Sequence, residues 1–146
     1  MSGVAWVRIG AVAGFLAVAF GAFGAHGLRD RLKPSTSDST EEAAFKLRRI
    51  ENFETASRYN MVHALAVVAV GLLVLSGRTE GALTLAAWSF VVGMLLFSGS
   101  LYVYGLTGLR WLGAITPFGG LGFLVGWLAL AYGAGGAKPP FPMLGD

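Results

Sequence analysis

Cysteine is absent from the chain, and with it go any disulfide framework, thiolate zinc site, c-type haem attachment or cysteine nucleophile. Charge is scarce as well. Only 13% of the 146 residues are Asp, Glu, Lys or Arg, against 55% hydrophobic residues and a mean hydropathy of +0.65, which is too little charge to coat a soluble globule. The net charge of +3 is small, and most basic residues alternate with acids in one segment, so there is no basic stripe for nucleic acid. Alternating strand patterns are missing too. Lipid cannot satisfy open backbone groups, and closed helices are therefore the expected spanning form. What these absences leave is an all-α, polytopic integral membrane protein.

The apolar runs predict four helices, at 7–27, 41–75, 82–105 and 112–132, joined by short second and third turns into an antiparallel four-transmembrane-helix bundle within a single domain 1–133. Trp6 and Arg8 open the first run as expected interfacial anchors. A cleaved signal peptide is the competing reading, because a short basic start is followed by an apolar stretch and the small residues Ala22 and Gly24. Against it, Gly10, Gly14, Ala17, Gly21 and Ala25 recur every three or four residues, a small-residue face suited to close packing in lipid. Gly122 and Gly126 form a second such face on the last helix. Residues 34–40 read as a polar loop, and Ser39 followed by Glu42 matches a capping box. Ala43, Leu47, Ile50 and Phe53 then recur at helical spacing among charged residues. They predict an amphipathic helical extension before helix 2, with Glu54 and Arg58 suited to an ion pair. The tail, 134–146, carries Pro139, Pro140 and Pro142 and reads as irregular.

Alternating traverses put the end of helix 1, the start of helix 2, the end of helix 3 and the start of helix 4 at one membrane face. His26, Tyr59, Asn60, His63, Ser98, Ser100, Tyr102 and Thr116 all lie towards that face, and polar groups at membrane depth turn towards protein or a wet cavity. They are the candidate polar site. For the two histidines, interhelical hydrogen bonding is the plain reading, and pH sensing, ligand contact or ligation of a b-type haem are the alternatives. The hydroxyls by default bond back to helix carbonyls, and neither Ser98 nor Ser100 sits in a GxSxG motif. Pro117 removes a backbone donor and frees the Gly113 carbonyl, and with Gly119 and Gly120 it predicts an irregular start to helix 4, a device seen in transporters.

Four segments, GAFGAHGL, the FxTAxRYxxxHAL pattern, LLFSGSLY and LGxITPxGG, occur in this order, and together they resemble the transmembrane protein 256-like family, domain of unknown function 423. The resemblance covers about Ile9 to Gly133. It implies a four-helix integral membrane protein and brings no reaction, ligand or catalytic residue set. The matching positions are Gly24, His26, Tyr59, His63, Ser98, Ser100, Tyr102, Thr116, Pro117 and Gly119. Two departures stand out: a longer region at 34–44, and no basic tail after the last helix.

The motif face carries Arg29, Arg31, Lys33, Lys46, Arg48, Arg49, Arg58 and Arg110, against Arg8, Arg78 and Lys138 opposite, which predicts a cytoplasmic motif face in a bacterial inner (plasma) membrane. The expected function is a non-enzymatic binding or scaffold protein, or an accessory subunit. No charge is buried mid-helix, which coupled transporters commonly need. A small transporter or channel is the runner-up, and a haem- or quinone-handling redox protein the third reading. The expected partners are the lipid bilayer, a larger membrane protein or a second copy of the chain, and a small amphipathic ligand; no metal and no obligatory cofactor is expected.

Overall fold

The computed structural model of the chain describes residues 1–78 and 80–135, so the proline-containing tail from residue 136 onward lies outside the described residues. Every long apolar window is helical. The four spans are α1 (Gly3–Arg31), α2 (Thr40–Leu75), α3 (Gly81–Thr107) and α4 (Arg110–Gly135), the shortest of which reaches about 39 Å, longer than a hydrocarbon core of about 30 Å. Neighbouring spans run antiparallel.

The small residues of α1 set its packing. A Cβ placed on Gly10 would come within 2.7 Å of the Ala64 carbonyl oxygen, and one on Gly3 within 2.6 Å of the Gly71 oxygen, so α1 lies against α2 almost backbone to backbone. Gly14 and Gly21 are looser, with nearest neighbours at 3.9 and 3.7 Å. Trp6 shares a face with Gly3 and Gly10 and is therefore turned inward. It is completely buried, its ring edge-on to Trp88 at 5.3 Å, and does not serve as the expected interfacial anchor. α1 continues through a π-helical turn at Gly24–Leu28 to Arg31, where Arg29 pairs with Glu54 at 2.7 Å. That ion pair replaces the one expected between Glu54 and Arg58, and Arg58 donates to Thr55.

α2 starts on the capping box: the Glu42 N–H donates to Ser39 Oγ at 3.2 Å and the Ser39 N–H to Glu42 Oε2 at 2.9 Å. At about 54 Å it is far longer than the bilayer core, so its amphipathic first turns stand outside the lipid. They dock against the end of α3. Arg49 donates to the Gly105 and Leu106 carbonyls at 3.0 and 2.6 Å, placing a cation at the negative end of that helix.

α3 contains a second π-helical turn, Met94–Ser98, and ends at Gly108, whose φ of 76° is open to glycine with little strain. A 3-10 turn, Arg110–Ala114, then leads into the α-helical part of α4, which begins at Thr116. Pro117 consequently sits in the first helical turn, where the missing N–H has no intrahelical partner to lose. The irregular entry expected from Pro117 is confined to the 3-10 turn before it.

The spans are not equivalent. About 39% of the apolar window is buried in α2 and in α3, but only 22% in α1 and 17% in α4, so α2 and α3 form the centre, with α1 flanking α2 and α4 flanking α3. Gly126 lets the Phe90 ring lie directly on α4, and Gly122 brings the α4 backbone to the Ser89 carbonyl. Two apolar clusters result. One, towards the N-terminus of α1, holds Trp6, Val67, Val70, Leu83, Phe90 and Phe123, and the other, towards the motif face, holds Leu28, Phe53, Ala56, Leu101 and Tyr102. Between them on α2 come Ser57, Asn60 and His63, all buried.

Candidate functional site

The buried polar residues of α2 are three apart, and each step of three turns the side chain by about −60° around the axis, so Ser57 and His63 point roughly 120° apart. This rotation divides the expected single site into separate groups. Tyr59 is four residues before His63 and keeps to the same side.

The first group faces α1 and α3. The Tyr102 phenol donates to Ser57 Oγ at 3.3 Å, and Ser57 in turn donates to the Phe53 carbonyl at 3.4 Å. Asn60 Nδ2 reaches the Ala13 carbonyl at 3.5 Å, the outer limit of a hydrogen bond. Ser98 is 1% exposed, and its Oγ has no partner among the described residues. Asn60, Ser98 and Tyr102 form the uncharged polar part of a groove of about 510 Å³ between α1 and α3, walled apart from Arg8 mainly by apolar side chains including Val12 and Leu16. Arg8 is the charged residue on its wall and makes no ion pair among the described residues. Val12 and Leu95 on the rim are 60% and 69% exposed, so the groove opens sideways into lipid.

The second group faces α4. Trp127 Nε1 donates to His63 Nε2 at 3.3 Å, and His63 Nδ1 lies 2.7 Å from the Tyr59 carbonyl. An indole N–H only donates, which makes Nε2 the acceptor and puts the ring proton on Nδ1, aimed at that carbonyl. The imidazole is neutral and both its nitrogens are engaged. Its ring stacks on Phe123 with centroids 3.4 Å apart and planes within 6°, and Tyr59 continues the column onto Phe97 at 4.5 Å. A third pair, Ser100 and Thr116, joins α3 to α4 with hydroxyls 3.0 Å apart, while Ser100 also donates to the Phe97 carbonyl.

His26 stands apart from all three. It is exposed, in the π-helical turn whose Gly24 packs on Phe53. Phe53 precedes His63 by ten residues on α2, about 15 Å along the axis. The two imidazoles are not neighbours, so no bis-histidine clamp for a b-type haem is assembled, and among the described residues no three His, Asp or Glu side chains gather as a metal set. The parity of the traverses fixed which end each residue is nearer but not its depth. Sequence reasoning also passed over Ser57, Trp127 and the position of Arg8. Trp127 had a usable signal, since an indole N–H in an apolar run needs an acceptor.

Comparison with known proteins agrees with this architecture. A family model described as protein of unknown function (DUF423) matches residues 20–120. The chain is 38% identical to a UPF0382 membrane protein of Staphylococcus saprophyticus over 128 residues, covering 88% of this chain and 94% of that one. It is 35% identical to the UPF0382 membrane protein YwdK of Bacillus subtilis, with 88% and 94% covered, and 36% identical to a UPF0382 membrane protein of Haemophilus influenzae, with 88% and 92% covered. No solved structure matches. With two thirds of its length under the family model and relatives aligned nearly end to end, the chain belongs to the DUF423 family of membrane proteins.

Proposed function

We propose that the protein is a non-enzymatic, membrane-embedded binding protein that takes a small amphipathic molecule from the bilayer into the α1–α3 groove. The observation that carries this reading is Ser98. A buried hydroxyl without a partner costs about 1–3 kcal/mol, and in this position it lines an apolar groove open to lipid, beside an Asn60 amide whose own bond is stretched to the limit. An occupant with a hydrogen-bonding group would satisfy the Asn60 amide, and Ser98 too once its hydroxyl rotates from its sealed position into the groove. From Arg8 to Phe20 the groove follows α1 for about 18 Å, room for an apolar stem lying along the helix. The π-helical turn beside Ser98 adds support, since such turns collect at functional sites.

The motif face is assigned to the cytoplasm on its excess of arginine and lysine. Of the opposing basic residues, Lys138 lies outside the described residues.

The test is mass spectrometry of lipids and small molecules that stay with the protein through mild-detergent purification. A specific amphipathic molecule retained by the wild type and lost from Ser98→Leu, whose side chain would block the groove, supports the reading. Identical small-molecule content in the two proteins would sink it, and substrate-dependent flux in proteoliposomes would replace it with the transporter alternative.

A further inference from the structure

A second cavity, of about 480 Å³, lies at the motif face between the amphipathic turns of α2 and the α3–α4 connection. Glu41, Phe45, Arg48 and Asn52 recur every three or four residues and so present one side of α2 to it. Tyr104 and Arg110 come from the other wall. The Arg110 guanidinium lies 4.9 Å from the centre of the Phe45 ring, and Phe45 meets Tyr104 edge-on at 6.4 Å.

The charges here are unbalanced. Among the described residues, neither Arg48 nor Arg110 has a carboxylate within ion-pair distance, and neither makes a side-chain hydrogen bond. The neighbouring Arg49, by contrast, is committed to the carbonyls at the end of α3. Tyr104 is 93% buried, yet its phenol has no hydrogen-bond partner among the described residues, and its oxygen is not among the sealed, unpartnered atoms. Two guanidinium groups and a free phenol on the wall of one cavity make a site for an anion with several oxygens. Glu41 adds an acceptor at the rim, which repels a bare anion and suits one that carries its own donor nearby. Leu101, one turn deeper than Tyr104, continues the wall towards the bilayer as an apolar surface.

We propose that this cavity binds the phosphodiester headgroup of a membrane glycerophospholipid, with Arg48 and Arg110 on the phosphate, Tyr104 donating to it, and Glu41 accepting from a headgroup hydroxyl or ammonium. The acyl chains run down past Leu101. Basic pockets at the cytoplasmic ends of membrane helices suit such headgroups on general electrostatic grounds. The site is distinct from the α1–α3 groove and does not depend on what that groove holds.

The experiment is native mass spectrometry of delipidated protein titrated with phosphatidylglycerol, phosphatidylethanolamine and phosphatidylcholine, whose choline group has no N–H or O–H to donate. Phosphatidylglycerol and phosphatidylethanolamine are expected to bind in preference to phosphatidylcholine. The double variant R48Q/R110Q should lower that binding by about tenfold or more, as loss of charge-assisted bonds implies. R31Q/K33Q removes the same charge from the same face and should leave binding unchanged. R48Q alone keeps the Arg110–Phe45 contact and should give a partial loss, which guards against a folding defect in the double variant. Free glycerol phosphate and inorganic phosphate should not displace the lipid. Equal retention of phosphatidylcholine, equal loss in the two double variants, or displacement by the free phosphates would each overturn the proposal.

Discussion

The Trp127 indole donates to Nε2 of His63 at 3.3 Å, and that contact decides which nitrogen of the imidazole carries the proton. The remaining N–H is thereby aimed at the Tyr59 carbonyl one turn earlier on the same helix. A side chain on the central helix α2 is in this way tied both to its own backbone and to the outer helix α4, with Phe123 filling the face between them.

His63→Ala should therefore lower stability in detergent by about 2–4 kcal/mol, combining a cavity under Phe123 with an orphaned indole N–H. Trp127→Phe keeps most of the packing and should cost about 1 kcal/mol. Because the residues share one bond, the double variant should fall short of the sum by about 0.5–2 kcal/mol. Thr36→Ala, at an exposed loop position, should have no measurable effect. Thermal unfolding of the four variants beside wild type checks all of this, and full additivity would remove the proposed coupling.

Ser98→Ala should act in the opposite direction on the empty protein. Deleting a buried hydroxyl that has no partner removes its desolvation cost, so delipidated Ser98→Ala should unfold later than wild type by about 1 kcal/mol. If the groove holds an amphipathic occupant, the same variant should retain less of it. Stability lost in the delipidated state would mean that Ser98 has a structural partner.

The fold was legible because its determinants are local: apolar windows, the Ser39–Glu42 capping box and the hairpin turns are read one residue at a time. The candidate site was legible only in its membership. Tyr102 and Ser57, or Ser100 and Thr116, meet because of helix rotation and depth, and neither follows from which end of a span a residue is near. The π-helical turns at Gly24–Leu28 and Met94–Ser98 each insert an extra residue and shift the face of everything beyond them, with no composition signal to announce it. His26 shows the effect. It lies in such a turn, outside the groups that its position at the end of an apolar run suggested.

The glycines of α1 separate packing from mere pattern. Gly10→Ala would bring a Cβ to 2.7 Å from a backbone oxygen of α2, which cannot move alone, and should cost about 1–3 kcal/mol by forcing the helices apart. Gly14→Ala meets its nearest atom at 3.9 Å and should be neutral or stabilising by up to about 1 kcal/mol through helix propensity. Thermal unfolding of the pair distinguishes them. Equal responses would mean that α1 is not held by close approach at its N-terminal half.

Outside the membrane the loop before α2 is pinned by Asp38, which accepts from Lys46 Nζ at 2.7 and 2.8 Å and from the Ser35 N–H at 2.8 Å. Lys46, followed by the Ser35 amide, holds the Asp38 carboxyl below its ordinary value. A lowered folded value means that the charged form is favoured by folding, so the contribution is complete above the ordinary carboxylate value of about 4 and is lost as pH falls through the lowered value. Protease nicking between Leu32 and Ser39 should accordingly be slow at neutral pH and rise in acid. Asp38→Asn should show the acid rate already at neutral pH, because an amide cannot carry the charge that draws Lys46 back. A variant that nicks as slowly as wild type at neutral pH would show that the loop is held by its Pro34 and serine contacts and not by this carboxylate.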